Sequence, residues 1–107
     1  MINDNVQILM EGKQVNPYIE RVQTFADSNK KALGFLPKSV FRDQANNNRL
    51  WVAINANSGE LLGYLLWGGR YPMLKVFHLY VAQQNRKQGI GAKLLSSLEA
   101  FAEKKTI

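Results

Sequence analysis

The feature that most constrains this chain is a change of pattern within residues 73–105. Met73-Leu74-Lys75-Val76-Phe77-His78-Leu79-Tyr80-Val81 reads as a strand. A basic loop containing Gly89 and Gly91 follows it, and the loop opens an amphipathic helical run toward Lys105. Strand, glycine loop and helix start together make a place to hold an anion. The first N–H groups of a helix lack intrahelical partners, and the helix dipole makes that end positive. Gly89 and Gly91 carry no Cβ, so a ligand can lie against the backbone. Arg86 and Lys87 add charge. Each contact of this kind contributes roughly 0.3–2 kcal/mol, so several must converge to hold a pyrophosphate.

Spacing excludes two familiar phosphate loops. A dinucleotide fingerprint needs a third small residue where this chain has Leu94, and no Walker string is present. What remains is Arg86-x-x-Gly89-x-Gly91, with Arg86 five residues after Val81. This resembles the coenzyme A loop of the GNAT acetyltransferase superfamily, whose pattern is Q/R-x-x-G-x-G/A. The resemblance implies an α/β, mixed α+β fold: strand, two helices, three antiparallel strands, helix. It implies acetyl-CoA as cosubstrate and an amine as acceptor. It also implies cofactor binding by Leu79, Tyr80, Val81, Arg86, Lys87, Gln88, Gly89, Ile90, Gly91 and Ala92. The backbone of Leu79 and Val81 would hold the thioester and pantetheine arm through a bulge, and their side chains would be core.

The remaining elements are expected from periodicity and turn chemistry. Val6 to Met10 is a short strand, ended by Glu11-Gly12-Lys13. Asn16-Pro17 reads as an N-cap and first helical residue. Ile19, Val22, Phe25 and Ala26 share one face of a helix running to Leu33, with Gly34 as its stop. A second short helix buries Val40, Phe41 and Ala45. Leu50, Val52 and Ile54 alternate in a strand, 55–59 is a hairpin turn, and 61–67 is a returning strand covered on both faces. The turn expected next covers 68–72. The last helix buries Ile90, Leu94, Leu95, Leu98, Phe101 and Ala102. Leu33 to Phe41 resembles the helix–helix corner of bacterial GNAT members, and Gly59 to Tyr64 their second hairpin.

Composition sets limits around that reading. The 107 residues suit one small domain, 1–107, with 46% hydrophobic residues to fill a core. Without cysteine there is no disulfide, thiolate zinc site or cysteine nucleophile, and a single histidine leaves no histidine metal cluster. No apolar run approaches the roughly 18 residues of a membrane span, and the first residues carry no signal pattern. These features fit a cytoplasmic protein. The formal net charge of +6 suits polyanionic partners.

Two departures from the family pattern bear on activity. The chain ends where the fifth strand is expected to begin, so the domain is expected to be truncated, weak in turnover, and open to self-association along an unpaired strand, most simply as a homodimer. Many protein-acetylating members carry an acidic base six residues before the end of the fourth strand. Lys75 stands there, and a lysine serves poorly as that base at neutral pH. The catalytic residues are therefore unassigned. His78 is read as a packed strand residue rather than a base, and Trp51 and Trp67 as sheet packing, with Trp67 a secondary candidate for an acceptor pocket. Two alternatives stand beside an N-acetyltransferase. One is a truncated coenzyme A-binding module without turnover. The other is a basic nucleic-acid binder, which the scattered placement of the basic residues disfavours.

Overall fold

The computed structural model describes residues 5–70, 72–86 and 88–104. The chain begins with β1 (Val6–Leu9) and α1 (Gly12–Val15), then a 3-10 turn at Asn16–Tyr18. It continues through α2 (Ile19–Ser28), α3 (Lys30–Leu33) and α4 (Lys38–Asn46). The strands β2 (Leu50–Asn55), β3 (Leu61–Arg70) and β4 (Met73–Val81) follow, then a 3-10 turn at Gln83–Asn85 and α5 (Ile90–Lys104). The strands form one antiparallel sheet in the order β1-β2-β3-β4. This is the mixed α/β architecture expected from the sequence.

The sheet buries a core on each face. On one side Val15, Ile19 and Val22 from α1 and α2, with Phe41 from α4, pack against Val52 and Tyr64. On the other, Ile90, Leu94 and Leu98 of α5 pack against Trp51, Leu65 and Trp67. The spacing of those three α5 residues is the one-face repeat of a helix on a sheet. Trp51, Trp67 and Phe101 meet edge to face, with ring centroids 5.3–5.6 Å apart. With both faces covered, β2 and β3 are apolar on both sides, so strict alternation disappears from their sequences.

Two bulges adjust the sheet. Leu62 is an extra residue in β3 between the pairs Ala53↔Gly63 and Ile54↔Leu61. Phe77 is an extra residue in β4 between Leu66↔His78 and Trp67↔Val76. A bulge bends its strand and re-aims the side chains beside it.

Several boundaries differ from the sequence reading. The helix expected over 17–33 breaks at Asn29, whose backbone has φ −123° and ψ 24°. Asn29 Nδ2 donates to the Phe25 carbonyl at 2.8 Å, taking the acceptor that its own N–H would use in an unbroken helix. That N–H turns to Ala26 instead, at 3.1 Å. A helical turn also starts earlier than expected. The Gly12 N–H is met by Asn48 Oδ1 at 2.9 Å, and a Cβ on Gly12 would lie 2.7 Å from the Ala45 carbonyl oxygen. The partner on α4 thus fixes that start. The turn expected over 68–72 is shorter, since Gly68, Gly69 and Arg70 extend β3 opposite Lys75, Leu74 and Met73. Tyr71 lies outside the described residues. Leu95, expected in the core, is exposed, because α5 covers one sheet face and nothing packs on that flank. Phe101 and Ala102 are half-buried.

Candidate functional site

The loop after β4 is built by short local bonds. Ala82 is buried, and its N–H donates to the Leu62 carbonyl at 2.7 Å. Asn85 N–H donates back to the Ala82 carbonyl at 2.8 Å, which closes the 3-10 turn. The chain reaches Gly89 at φ +79°, in the left-handed region where a side chain is strained. Lys93 N–H bonds the Gly89 carbonyl at 2.9 Å, so Gly89 is the residue that caps α5. A glycine offers no capping side chain. Among the described residues, nothing accepts from the N–H groups of Ile90, Gly91 or Ala92. Gln88 and Gly89 are exposed beside them, while the Ile90 side chain anchors the turn in the core. A Cβ on Gly91 would meet Val81 Cγ2 at 3.6 Å, an ordinary contact, so only Gly89 requires glycine for its backbone. Asn85 Nδ2 is a further buried donor without a partner among the described residues. These open donors at a positive helix end fit an anionic group.

The strand beside the loop has one free edge. In an antiparallel pair, successive residues point their N–H and C=O groups alternately toward and away from the neighbour. Ala82 points to β3, so Tyr80 does too, and Leu79 and Val81 present their backbone groups outward. Among the described residues no strand pairs with that edge. Arg86 Nε donates to the outward Val81 carbonyl at 2.9 Å, and its guanidinium lies 5.5 Å from the Tyr80 ring centre. The Leu79 and Val81 side chains pack on the α5-side core, and the Tyr80 ring meets Phe25 on the opposite side at 5.0 Å. The fold thus brings Leu79, Tyr80, Val81, Arg86, Gln88, Gly89, Ile90, Gly91 and Ala92 to one end of the sheet. Lys87 lies outside the described residues. The bulge falls at Phe77, two residues before Leu79, and Leu79 to Val81 stay in regular register.

Beyond the Phe77 bulge a pocket of about 410 Å³ opens on the α2 side of the sheet. Leu33, Leu36 and Val40 wall it from the helices, and Leu66, Phe77 and His78 from the strands. Gln44 supplies its polar side. The Phe77 ring lies against Gly68, where a Cβ would stand 2.6 Å from the ring. His78 is 4% exposed, with Nδ1 3.1 Å from the Tyr64 hydroxyl. Burial holds the His78 pKa below its ordinary value, against an opposing pull from the Leu33 backbone, and burial also pushes the Tyr64 hydroxyl well above the usual phenol range. Buried and tied to Tyr64, His78 is a wall of the pocket rather than a free base. Sequence reasoning did not assign this pocket: its walls are up to 45 residues apart, from Leu33 to His78, and only the sheet brings them together.

Other features lie elsewhere. A larger cavity of about 680 Å³ runs between Tyr18, Arg21, Phe25, Glu60 and Gln84, and none of the nine predicted residues that are described lines it. Trp67 borders a cavity with Arg49 and Arg70 at the opposite end of the sheet from the Gly89 turn. Among the described residues no cluster of His, Asp or Glu is placed to hold a metal, and no helix is long and apolar enough to cross a membrane.

No match was found among curated protein sequences. Among solved structures, the fold is similar to N-acetylglutamate synthase from Neisseria gonorrhoeae, solved with coenzyme A and N-acetyl-glutamate (TM-score 0.72, 16% identity). That likeness covers 92% of this chain and 23% of the synthase. An aminoglycoside acetyltransferase from an uncultured soil metagenomic sample is similar at TM-score 0.69 and 19% identity, over 98% of this chain and 74% of its own. The ribosomal-protein-alanine N-acetyltransferase of Brucella melitensis biovar Abortus gives 0.67 and 18%, over 94% and 74%. At these identities the likeness shows the fold. The family is shown by the sequence itself: residues 46–107, more than half of the chain and inclusive of β2 to α5, match the acetyltransferase (GNAT) domain, and the chain belongs to that family.

Proposed function

We propose that this chain is a single GNAT-like domain that binds acetyl-CoA and passes its acetyl group to the nitrogen of an amine. The observation that carries this reading is the row of N–H groups on Ile90, Gly91 and Ala92 that meet no acceptor among the described residues, set beside the outward edge of Leu79 and Val81. The pyrophosphate would lie on the helix start, with Gln88 and Gly89 closing over it and Arg86 and Lys87 supplying charge. The pantetheine arm would run along the β4 edge, where Val81 and Leu79 offer backbone groups at strand spacing, and Tyr80 would hold that strand end against Phe25. The likeness to a synthase solved with coenzyme A supports coenzyme A as the ligand.

The acceptor would enter through the pocket at His78, which adjoins Leu79. In the reaction the amine lone pair forms the C–N bond while the C–S bond breaks. The sulfur takes that electron pair and ends with the proton the nitrogen gives up. An outward N–H of β4 would stabilise the carbonyl oxygen as charge gathers there. Alignment of amine and thioester would supply most of the rate, an effect worth about 7–11 kcal/mol when geometry is well set.

The β4 edge is bare in residues 5–104, so a bound arm would be open to water on one side. Transfer by residues 1–107 alone is therefore expected to be slow relative to binding. Calorimetry with coenzyme A, beside a free-thiol assay with acetyl-CoA and varied amines, tests both parts. Saturable binding with slow amine-dependent thiol release is expected; no binding contradicts the reading, and fast release contradicts the slow step. A cytoplasmic setting, where acetyl-CoA is available, belongs to the same proposal.

A further inference from the structure

The acceptor pocket has a chemical character that the family does not dictate. Leu33, Leu36, Val40, Leu66 and Phe77 make its walls, and among the described residues none that lines it is Asp, Glu, Lys or Arg. Its polar groups are Gln44 and His78, and His78 is already engaged by Tyr64. The exposed rings of Phe35 and Phe77, at 66% and 55%, extend the apolar surface outward from the pocket.

Resting on the acetyl-transfer reading, we propose that this pocket selects a small primary amine carried on an uncharged aryl or alkyl group, and that it discriminates against polyamines and amino sugars. Three physical terms point the same way. Burying an ammonium without a carboxylate partner is costly, and the cost rises with each further charge brought in. Apolar surroundings disfavour the protonated amine, so a monoamine is held in the neutral form that can attack a thioester. The net charge of +6 repels a polycation before it arrives. The volume of about 410 Å³ is also near the lower end of the roughly 300–1,000 Å³ found for small-molecule sites.

The chain provides its own reporter. His78 is the one histidine in the sequence and lines this pocket, so its imidazole resonances read occupancy here alone. The experiment titrates isotope-labelled full chain at pH 8 with 2-phenylethylamine, hexylamine, spermidine and kanamycin, with and without coenzyme A. The two apolar amines should move the His78 Cε1–H signal saturably. The two polycations should move it at least tenfold more weakly or not at all. Equal or stronger saturable shifts with a polycation overturn the proposal, as does a His78 signal indifferent to both apolar amines.

The variant Gln44→Glu puts a carboxylate on the lining without adding bulk, and should raise spermidine affinity at least threefold. An unchanged ratio of spermidine to hexylamine affinity in a folded Gln44→Glu protein counts against the assignment. The cofactor is read separately, on the amide signals of Gly89, Ile90, Gly91 and Ala92. Coenzyme A leaving those signals in place would overturn the acetyl-transfer reading, while the amine preference of the pocket would stand or fall on His78.

Discussion

Tyr64 and His78, on adjacent strands, are joined by a hydrogen bond between the tyrosine hydroxyl and His78 Nδ1 at 3.1 Å. The pair faces Phe41, whose ring centre lies 6.0 Å from Tyr64 and 6.1 Å from His78. It ties β4 to β3 just past the Phe77 bulge, and His78 also lines the pocket that Leu33 walls at the end of α3. One side chain therefore meets both the neighbouring strand and the corner that walls the pocket.

That arrangement makes stability depend on pH. The His78 pKa is lowered in the folded state from the ordinary value of 6.5, chiefly by burial. Below that value the unfolded chain binds the proton more readily than the folded one. Stability is thus fully present above about pH 6.5 and falls as the pH drops toward the lowered folded pKa. Urea midpoints should fall between pH 7.5 and pH 5.5 in the native sequence and stay flatter in His78→Gln. Equal slopes in the two proteins would show that His78 is not the group responsible. Glu20, held below its ordinary range by Lys38 at 2.8 Å, acts in a lower window, below about pH 4.5.

Asn48 is expected to matter more than its exposed position suggests. It stands at φ +61°, accepts the Gly12 N–H on Oδ1 at 2.9 Å, and accepts Trp51 Nε1 on its carbonyl at 2.9 Å. Asn48→Ala loses a hydrogen bond of about 0.5–1.5 kcal/mol and strains a left-handed residue by about 1–2 kcal/mol. Asn48→Gly loses the bond but relieves the strain. Chemical denaturation should therefore rank the alanine variant below the glycine variant; the reverse order would refute the role given to this backbone.

The order of strand, loop and helix was legible in the sequence because its determinants are local. Ile90 starts the helix as expected, and the structure adds that Gly89 before it takes a left-handed backbone. The strand order was legible from the hairpin at 55–59 and the turn before β4. Other features depend on partners distant in sequence. Gly12 enters a helix because Asn48 meets its N–H, and Gly68 stays in β3 because β4 is long enough to pair with it. Leu95 had the composition of a core residue and lacked a surface to cover it. Asn29 shows a local competition that periodicity overlooks, a side chain taking a helical carbonyl. The pocket at His78 was invisible for the same reason as Gly12: its walls meet only after the sheet forms.

Among the described residues no strand pairs with the outer edge of β4, and the strand carries exposed apolar residues, with Met73 73%, Val76 44% and Phe77 55% exposed. An edge of this kind is a template for pairing with another chain. We expect a two-fold dimer at micromolar concentration, seen by light scattering during chromatography, and a shift toward the monomer in Val76→Lys. A concentration-independent species of 12.1 kDa would exclude the dimer.

The central claim is that the start of α5 holds the phosphates of coenzyme A, and Gly89 tests it most directly. A Cβ at Gly89 meets nothing within 4 Å, so a substitution there blocks no packing and acts through strain and charge alone. Gly89→Ala should lower stability by about 1 kcal/mol and keep measurable affinity. Glu99→Gln, exposed on α5 more than two turns from the loop, serves as the neutral control. Gly89→Asp sets a carboxylate beside the open amides of Ile90, Gly91 and Ala92. Calorimetric titration of the three folded variants with coenzyme A is the measurement. We expect Glu99→Gln to bind like the native sequence and Gly89→Asp to bind at least about tenfold more weakly, a loss of about 1.4 kcal/mol or more. Coenzyme A binding of equal affinity in Gly89→Asp and the native chain would contradict the claim.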